Sequence, residues 1–263
     1  MSPLRVLLLT PSALPAITGN AMTVERWRRG LTGAGCTVLA LATRNAAVPA
    51  LAAAVASFRP EIVHVHHLFL AGGLLLAEPL AALLAGVPVV ATPAGTDLNQ
   101  DLREQEKMDL LRRLCRSIGE MVIQNRYFAR LVAELLPDRG CRISYVPKSF
   151  CWLGDRPCRL RERTGIGGDE FVFFLPAGIR PVKGNLTALL ALEAVHLRRP
   201  HIRAVFAGPV LDAEYGARFT GEIRRLASFA RWLPAIAPQE MAAAYGEVDV
   251  VLNASTSEGL ANT

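Results

Sequence analysis

Phe171-Val172-Phe173-Phe174-Leu175-Pro176-Ala177-Gly178-Ile179-Arg180-Pro181-Val182-Lys183-Gly184 is the stretch on which the fold turns. Its opening is apolar at every position rather than at alternate ones. That is the mark of a strand buried on both faces, as in a parallel sheet covered by helices. A glycine closes the run, and a segment of helix length, rich in alanine and leucine, follows over 184–198. A strand over 171–177 therefore hands on to a helix through a loop that carries two cations. The same step repeats downstream, with strands at about 202–207, 231–236 and 249–254 and helices near 213–228 and 238–246. Upstream, strands at about 4–10, 36–43, 62–67, 88–93, 120–125 and 142–147 alternate with helices at about 21–33, 48–58, 70–85, 99–116 and 126–136. Between the two series the rhythm breaks. Cys151 to Arg163 concentrates arginine, cysteine and proline, and Gly165, Gly167 and Gly168 follow. The reading is an α/β protein of two Rossmann-like parallel-sheet domains: 1–150, an interdomain linker at 151–168, and a second domain over 169–263 that is incomplete.

The composition agrees. The chain is 51% hydrophobic and 20% charged, a globular balance that excludes intrinsic disorder and a coiled coil. Its net charge of +6 is spread without a dense basic run, so charge alone selects neither nucleic acid nor a membrane. Cysteines at 36, 115, 141, 151 and 158 form no CxxC pair and no zinc-ligand spacing with the histidines, which fits a reducing, cytoplasmic setting. The apolar run Val6 to Leu9 meets Pro11, Pro15 and Gly19 without a cleavage site and reads as a first strand, not a signal peptide. Leu68 to Ala91 is apolar enough to raise a membrane span, but Glu78-Pro79 and Gly86-Val87-Pro88 interrupt it. A buried helix followed by a buried strand is the reading adopted.

Ligands of open parallel sheets bind beyond the carboxyl ends of the strands, so the loops there are where function is to be sought. Four stand out. Pro15-Ala16-Ile17-Thr18-Gly19-Asn20 follows the first strand, and Gly19 would let backbone approach a ligand; an ordinary loop capped at Asn20 or Thr23 is the alternative. Ala94-Gly95-Thr96-Asp97 follows the fourth strand, where Asp97 is either a crevice carboxylate or a helix N-cap. Arg180 and Lys183 suit a diphosphate, the first as a bidentate donor and the second as a compact charge, unless the turn is merely basic and solvated. Glu258, in Ser255-Thr256-Ser257-Glu258-Gly259-Leu260, can accept sugar hydroxyls while the amides after it hold phosphate, or it can be a capping acid. His64, His66 and His67 lie on or after the third strand with no third metal ligand evident, and read as core or crevice-lining side chains.

In order and spacing these loops resemble the retaining GT-B glycosyltransferases of family 4, and the match runs nearly end to end. Glu61-Ile62-Val63-His64-Val65-His66 is similar to that family's "D-hydrophobic-H-x-H" strand. Val87 to Asp97 is similar to its "P-hydrophobic-H-G-T-D" segment, and Arg142 to Phe150 to its "hydrophobic-P-N-G-V" strand. Phe174 to Lys183, Phe206 to Asp212 and Asn253 to Gly259 resemble the glycosyltransferase 1 domain-containing subgroup.

The resemblance implies transfer of a sugar from a nucleotide-sugar donor, held mainly by the second domain, to an acceptor held mainly by the first. Arg180 and Lys183 would stabilise charge on the departing diphosphate in place of a metal, so no cofactor and no metal are expected. Glu258 would sit near the donor sugar, with Gly259 and Leu260 offering amides to phosphate. Gly178 and Gly19 would approach the diphosphate, while Thr96, Asp97 and His66 would line the acceptor side. No nucleic-acid partner is implied. Weak peripheral contact with a membrane would come from Arg26, Arg28 and Arg29 beside Trp27. Departures are as telling: the histidine before G-T-D is Ala94, the P-N-G loop reads Pro147-Lys148-Ser149, and the second glutamate of the family's E-x7-E motif would fall beyond residue 263. An inactive nucleotide- or partner-binding protein of the same fold is the competing expectation. Donor base, acceptor and oligomeric state are not encoded in any motif.

Overall fold

The computed structural model describes residues 2–99, 101–135, 140–149 and 153–258. The chain divides into two units, the first holding the described residues from 2 to 149 together with Glu258, the second those from 153 to 257. The first is built on strands β1 (Arg5–Thr10), β2 (Thr37–Ala42), β3 (Ile62–His66), β4 (Val89–Thr92), β5 (Glu120–Ile123) and β6 (Arg142–Tyr145). They form one sheet in the order β2-β1-β3-β4-β5-β6, parallel throughout. Between them lie helices α1 (Gly19–Gly33), α2 (Val48–Phe58), α3 (Leu80–Leu83), α4 (Gly95–Asn99), α5 (Gln105–Cys115) and α6 (Arg126–Leu135).

Alternation along the strands feeds two apolar layers, because successive side chains leave opposite faces of the sheet. Leu7, Leu9, Val63, Val65 and Ala91 join Val55, Leu111 and Leu114 on one side. Val6 and Leu8 meet Val24, with Trp27 and Leu31 beside them, on the other. Each helix is thus fixed by the stripe it buries.

The second unit places β7 (Phe171–Pro176), β8 (Ile202–Ala207), β9 (Ala230–Leu233) and β10 (Val250–Val251) in the order β10-β7-β8-β9, again all parallel. Helices α7 (Leu160–Thr164), α8 (Asn185–His196), α9 (Ala213–Arg225) and α10 (Met241–Gly246) complete it. Leu175, Leu189, Ala204, Phe206, Phe219 and Phe229 make one apolar layer. Val172, Phe174 and Val205 face the other, with Leu160, Ile236 and Ala244.

Three expectations about elements change. The helix expected over 70–85 is a 3-10 turn, Gly72–Leu76, followed by the single turn of α3. Pro79 has no N–H to give and keeps Glu78 out of the helical region, so one continuous helix cannot form. The helix expected over 99–116 is α4, a 3-10 turn at Asp101–Arg103 and α5. The segment read as a linker, 151–168, packs with the second unit from Cys158 onward, because Cys158, Leu160 and Ile166 are buried against the β7 side chains. No helix among the described residues is long and apolar enough to cross a membrane.

Candidate functional site

In the first unit the loops beyond β1, β3 and β4 carry the candidate groups. Helix α1 is capped by Thr18, whose Oγ1 accepts the Ala21 amide at 3.2 Å. The cap is therefore neither Asn20 nor Thr23, and Gly19 is the first helical residue, exposed to solvent. Further along α1, Trp27 stacks on the His64 ring at 4.3 Å and meets His66 edge-on at 5.1 Å. Arg28 grips buried Glu25 with two nitrogens, at 2.7 and 2.8 Å, and Arg29 joins it at 2.8 Å. The Arg28 guanidinium is the chief reason the Glu25 carboxyl is held below its usual range. Trp27 thus packs on the histidines, and Arg28 and Arg29, two of the three arginines read as membrane-facing, pair with Glu25.

His64 Nε2 lies 2.8 Å from Thr92 Oγ1, and His66 Nδ1 lies 3.2 Å from the Thr92 carbonyl. Burial pushes His64 down to about 3, helped by the neighbouring His66. It pushes His66 down to about 4 against the opposing pull of Asp97, while Lys148 adds to the depression. Both rings are neutral at physiological pH. Lys148 is the residue where the family pattern has asparagine, so this departure puts a positive charge within reach of the histidines.

Asp97 is 0% exposed. Its Oδ2 accepts the amides of Leu68, at 2.8 Å, and Ala94, at 2.9 Å. Its Oδ1 lies 2.5 Å from Nδ1 of His67, a residue held in the left-handed region at φ 76°. Thr96 Oγ1 stands 3.4 Å from His67 Nε2. Asp97 thus binds the β3 and β4 loops together. His67, which sequence reasoning set aside, is its main side-chain partner. His67, Asp97 and Asp101 bring one possible metal-ligating atom each within 4.8 Å. Asp97 is already committed to amides, and the Lys107 charge acts on Asp101, so the donor set is a poor one for a divalent cation.

In the second unit the loop after β7 leads through a 3-10 turn, Pro181–Lys183, into α8. Arg180 and Lys183, both half-buried, stand at the two ends of that turn. Gly184 adopts φ 62°, and a Cβ there would lie 2.2 Å from the Ala254 carbonyl oxygen. The loop after β10 is tied to the same turn, since Thr256 N–H donates to the Val182 carbonyl at 2.9 Å. Glu258, half-buried, is the last described residue and groups with the first unit, not with this one. A Cβ on Gly178 would meet Leu211 Cδ1 at 2.5 Å. Gly259 and Leu260 lie outside the described residues.

Two parallel-sheet units with cation-bearing and carboxylate-bearing loops at their strand ends define the class: a GT-B glycosyltransferase fold. The glycosyl transferase 4-like domain model matches residues 4–148, and the chain belongs to that family of transferases. It is 23% identical over 268 residues to glycosyltransferase 1 domain-containing protein 1 of Xenopus tropicalis, covering 96% of this chain and 73% of the relative. Sucrose-phosphate synthase of Thermosynechococcus elongatus superposes with a TM-score of 0.73 at 13% identity, over 98% of this chain and 77% of that one. Anabaena HepE, in complex with UDP and glucose, superposes with a TM-score of 0.65 at 18% identity, over 96% and 74%.

Proposed function

We propose that the protein is a retaining glycosyltransferase that moves a sugar from a nucleotide-sugar donor to an acceptor hydroxyl, without a metal. The observation that carries the reading is the junction after β7, where Arg180 and Lys183 flank one turn at a strand's carboxyl end and Thr256 ties that turn to the loop after β10. In the reaction, the bond from the anomeric carbon to the diphosphate oxygen breaks and its electron pair stays on the phosphate. The acceptor oxygen bonds the same carbon from the same face, and its proton passes to the departing phosphate oxygen. Arg180 and Lys183 stabilise the charge that grows on that phosphate, a role worth several kcal/mol in a dry, preorganised site. Glu258 accepts hydroxyls of the donor sugar.

HepE's complex with UDP and glucose makes UDP-sugars the first donors to try. Incubating the protein with a panel of nucleotide sugars and candidate acceptors, and following the product anomer by NMR, tests the reading. A product with the donor's anomeric configuration supports it. An inverted product, or nucleotide binding with no transfer to any acceptor or to water, contradicts it.

A further inference from the structure

At the junction of β7 and α8, two side-chain donors are buried without a hydrogen-bond partner among the described residues: Asn185 Nδ2 and Arg180 Nε. Asn185 is 0% exposed. A buried amide left unpaired costs stability, and a leucine of similar size would fill the position without that penalty. What the asparagine supplies in return is its Oδ1, which accepts the main-chain N–H of Arg180 at 3.3 Å. Arg180 is extended, with φ −164° and ψ 158°. On its other side the chain is tied through Ile179, whose N–H donates to Pro209 O at 2.8 Å and whose carbonyl accepts from Leu211 N–H at 3.0 Å. Gly184, in the left-handed region, turns the chain so that residue 185 reaches back to residue 180.

We infer that Asn185 is a positioning residue: it fixes the Arg180 main chain so that the guanidinium is presented to a diphosphate, and it does so at the expense of stability. The inference rests on the donor-site reading above. Being fully buried, Asn185 does not touch the ligand and acts through Arg180.

The test measures nucleoside diphosphate binding by calorimetry, and thermal unfolding, for the full chain, Asn185→Leu, Arg180→Ala and the double variant. Asn185→Leu binds about tenfold more weakly yet melts no lower than the parent, and it adds nothing on the Arg180→Ala background. A residue that merely supports the fold would instead lower the melting temperature and leave the affinity of the folded protein alone. Asn185→Ala, which cannot overpack, shows the same loss of affinity. Unchanged affinity in Asn185→Leu beside a wild type that binds overturns this inference alone. So do losses that add independently to that of Arg180→Ala, or failure of both Asn185 variants to fold. No binding by the wild type overturns the donor-site reading and this inference with it.

Discussion

Replacing Gly184 by alanine perturbs both loops of the proposed donor site at once. At φ 62° an L-residue pays about 1 kcal/mol for the left-handed backbone. The new methyl would sit 2.2 Å from Ala254 O and 3.1 Å from its carbonyl carbon. Both are main-chain atoms, so relief requires the loop after β10 to move by about 1 Å, at an overpacking cost of about 1–3 kcal/mol. That shift breaks the 2.9 Å bond from Thr256 N–H to Val182 O, a further loss of about 1 kcal/mol. The sum is about 3–5 kcal/mol. At roughly 4 °C per kcal/mol for a domain near 100 residues, the transition of the second unit falls by about 12 °C or more. Scanning calorimetry reads the shift, and Gly221→Ala is the control. Gly221 lies inside α9 with nothing within 4 Å of an added Cβ, so that variant gains up to about 1 kcal/mol. A Gly184→Ala protein that melts with the wild type and binds nucleotide as tightly would refute the reasoning.

Three further outcomes are expected. Asp97→Ala strips the buried Leu68 amide and the half-buried Ala94 amide of their acceptor and costs about 2–4 kcal/mol of stability in the first unit, read by chemical denaturation; a loss under 1 kcal/mol would contradict its place as the clasp between the β3 and β4 loops. Stability falls as pH drops below about 6.5, because the unfolded chain takes up protons that buried His66, depressed to about 4, refuses. The contribution reaches about 2 kcal/mol by pH 4.5, and the stability–pH slope measured in that window shrinks in His66→Phe. Lys183→Ala lowers turnover on a nucleotide sugar by about 100-fold while changing donor affinity far less, since the charge it meets grows toward the transition state; equal losses in kcat and affinity would remove it from that role.

The strand-loop-helix rhythm was legible because buried parallel strands are continuous apolar runs and each loop carries its own turn chemistry. The Arg180 to Gly184 turn could be found for the same local reason. What escaped was non-local. Gly178 reads as a ligand-facing glycine, and no local signal shows that Leu211, thirty-three residues on, packs beside it. Asp97 reads from sequence equally as a cap or a crevice carboxylate, and its second amide, from Leu68, arrives from another strand's loop. Trp27 reads as a membrane-facing aromatic beside arginines; only the fold brings it onto His64. Asn185 had a weak local signal, a polar residue after Lys-Gly at a helix start, but its complete burial is a property of the packed sheet.

The central claim is that the second unit binds the diphosphate of a nucleotide sugar through Arg180 and Lys183. Calorimetric titration of the protein with nucleoside diphosphates, against the parent nucleosides and against the Arg180→Ala and Lys183→Ala proteins, tests it most directly. The account predicts micromolar binding of at least one diphosphate, at least tenfold weaker binding of its nucleoside, and loss of that difference in both variants. Diphosphate and nucleoside bound equally well, or variants that keep the full difference, would contradict it.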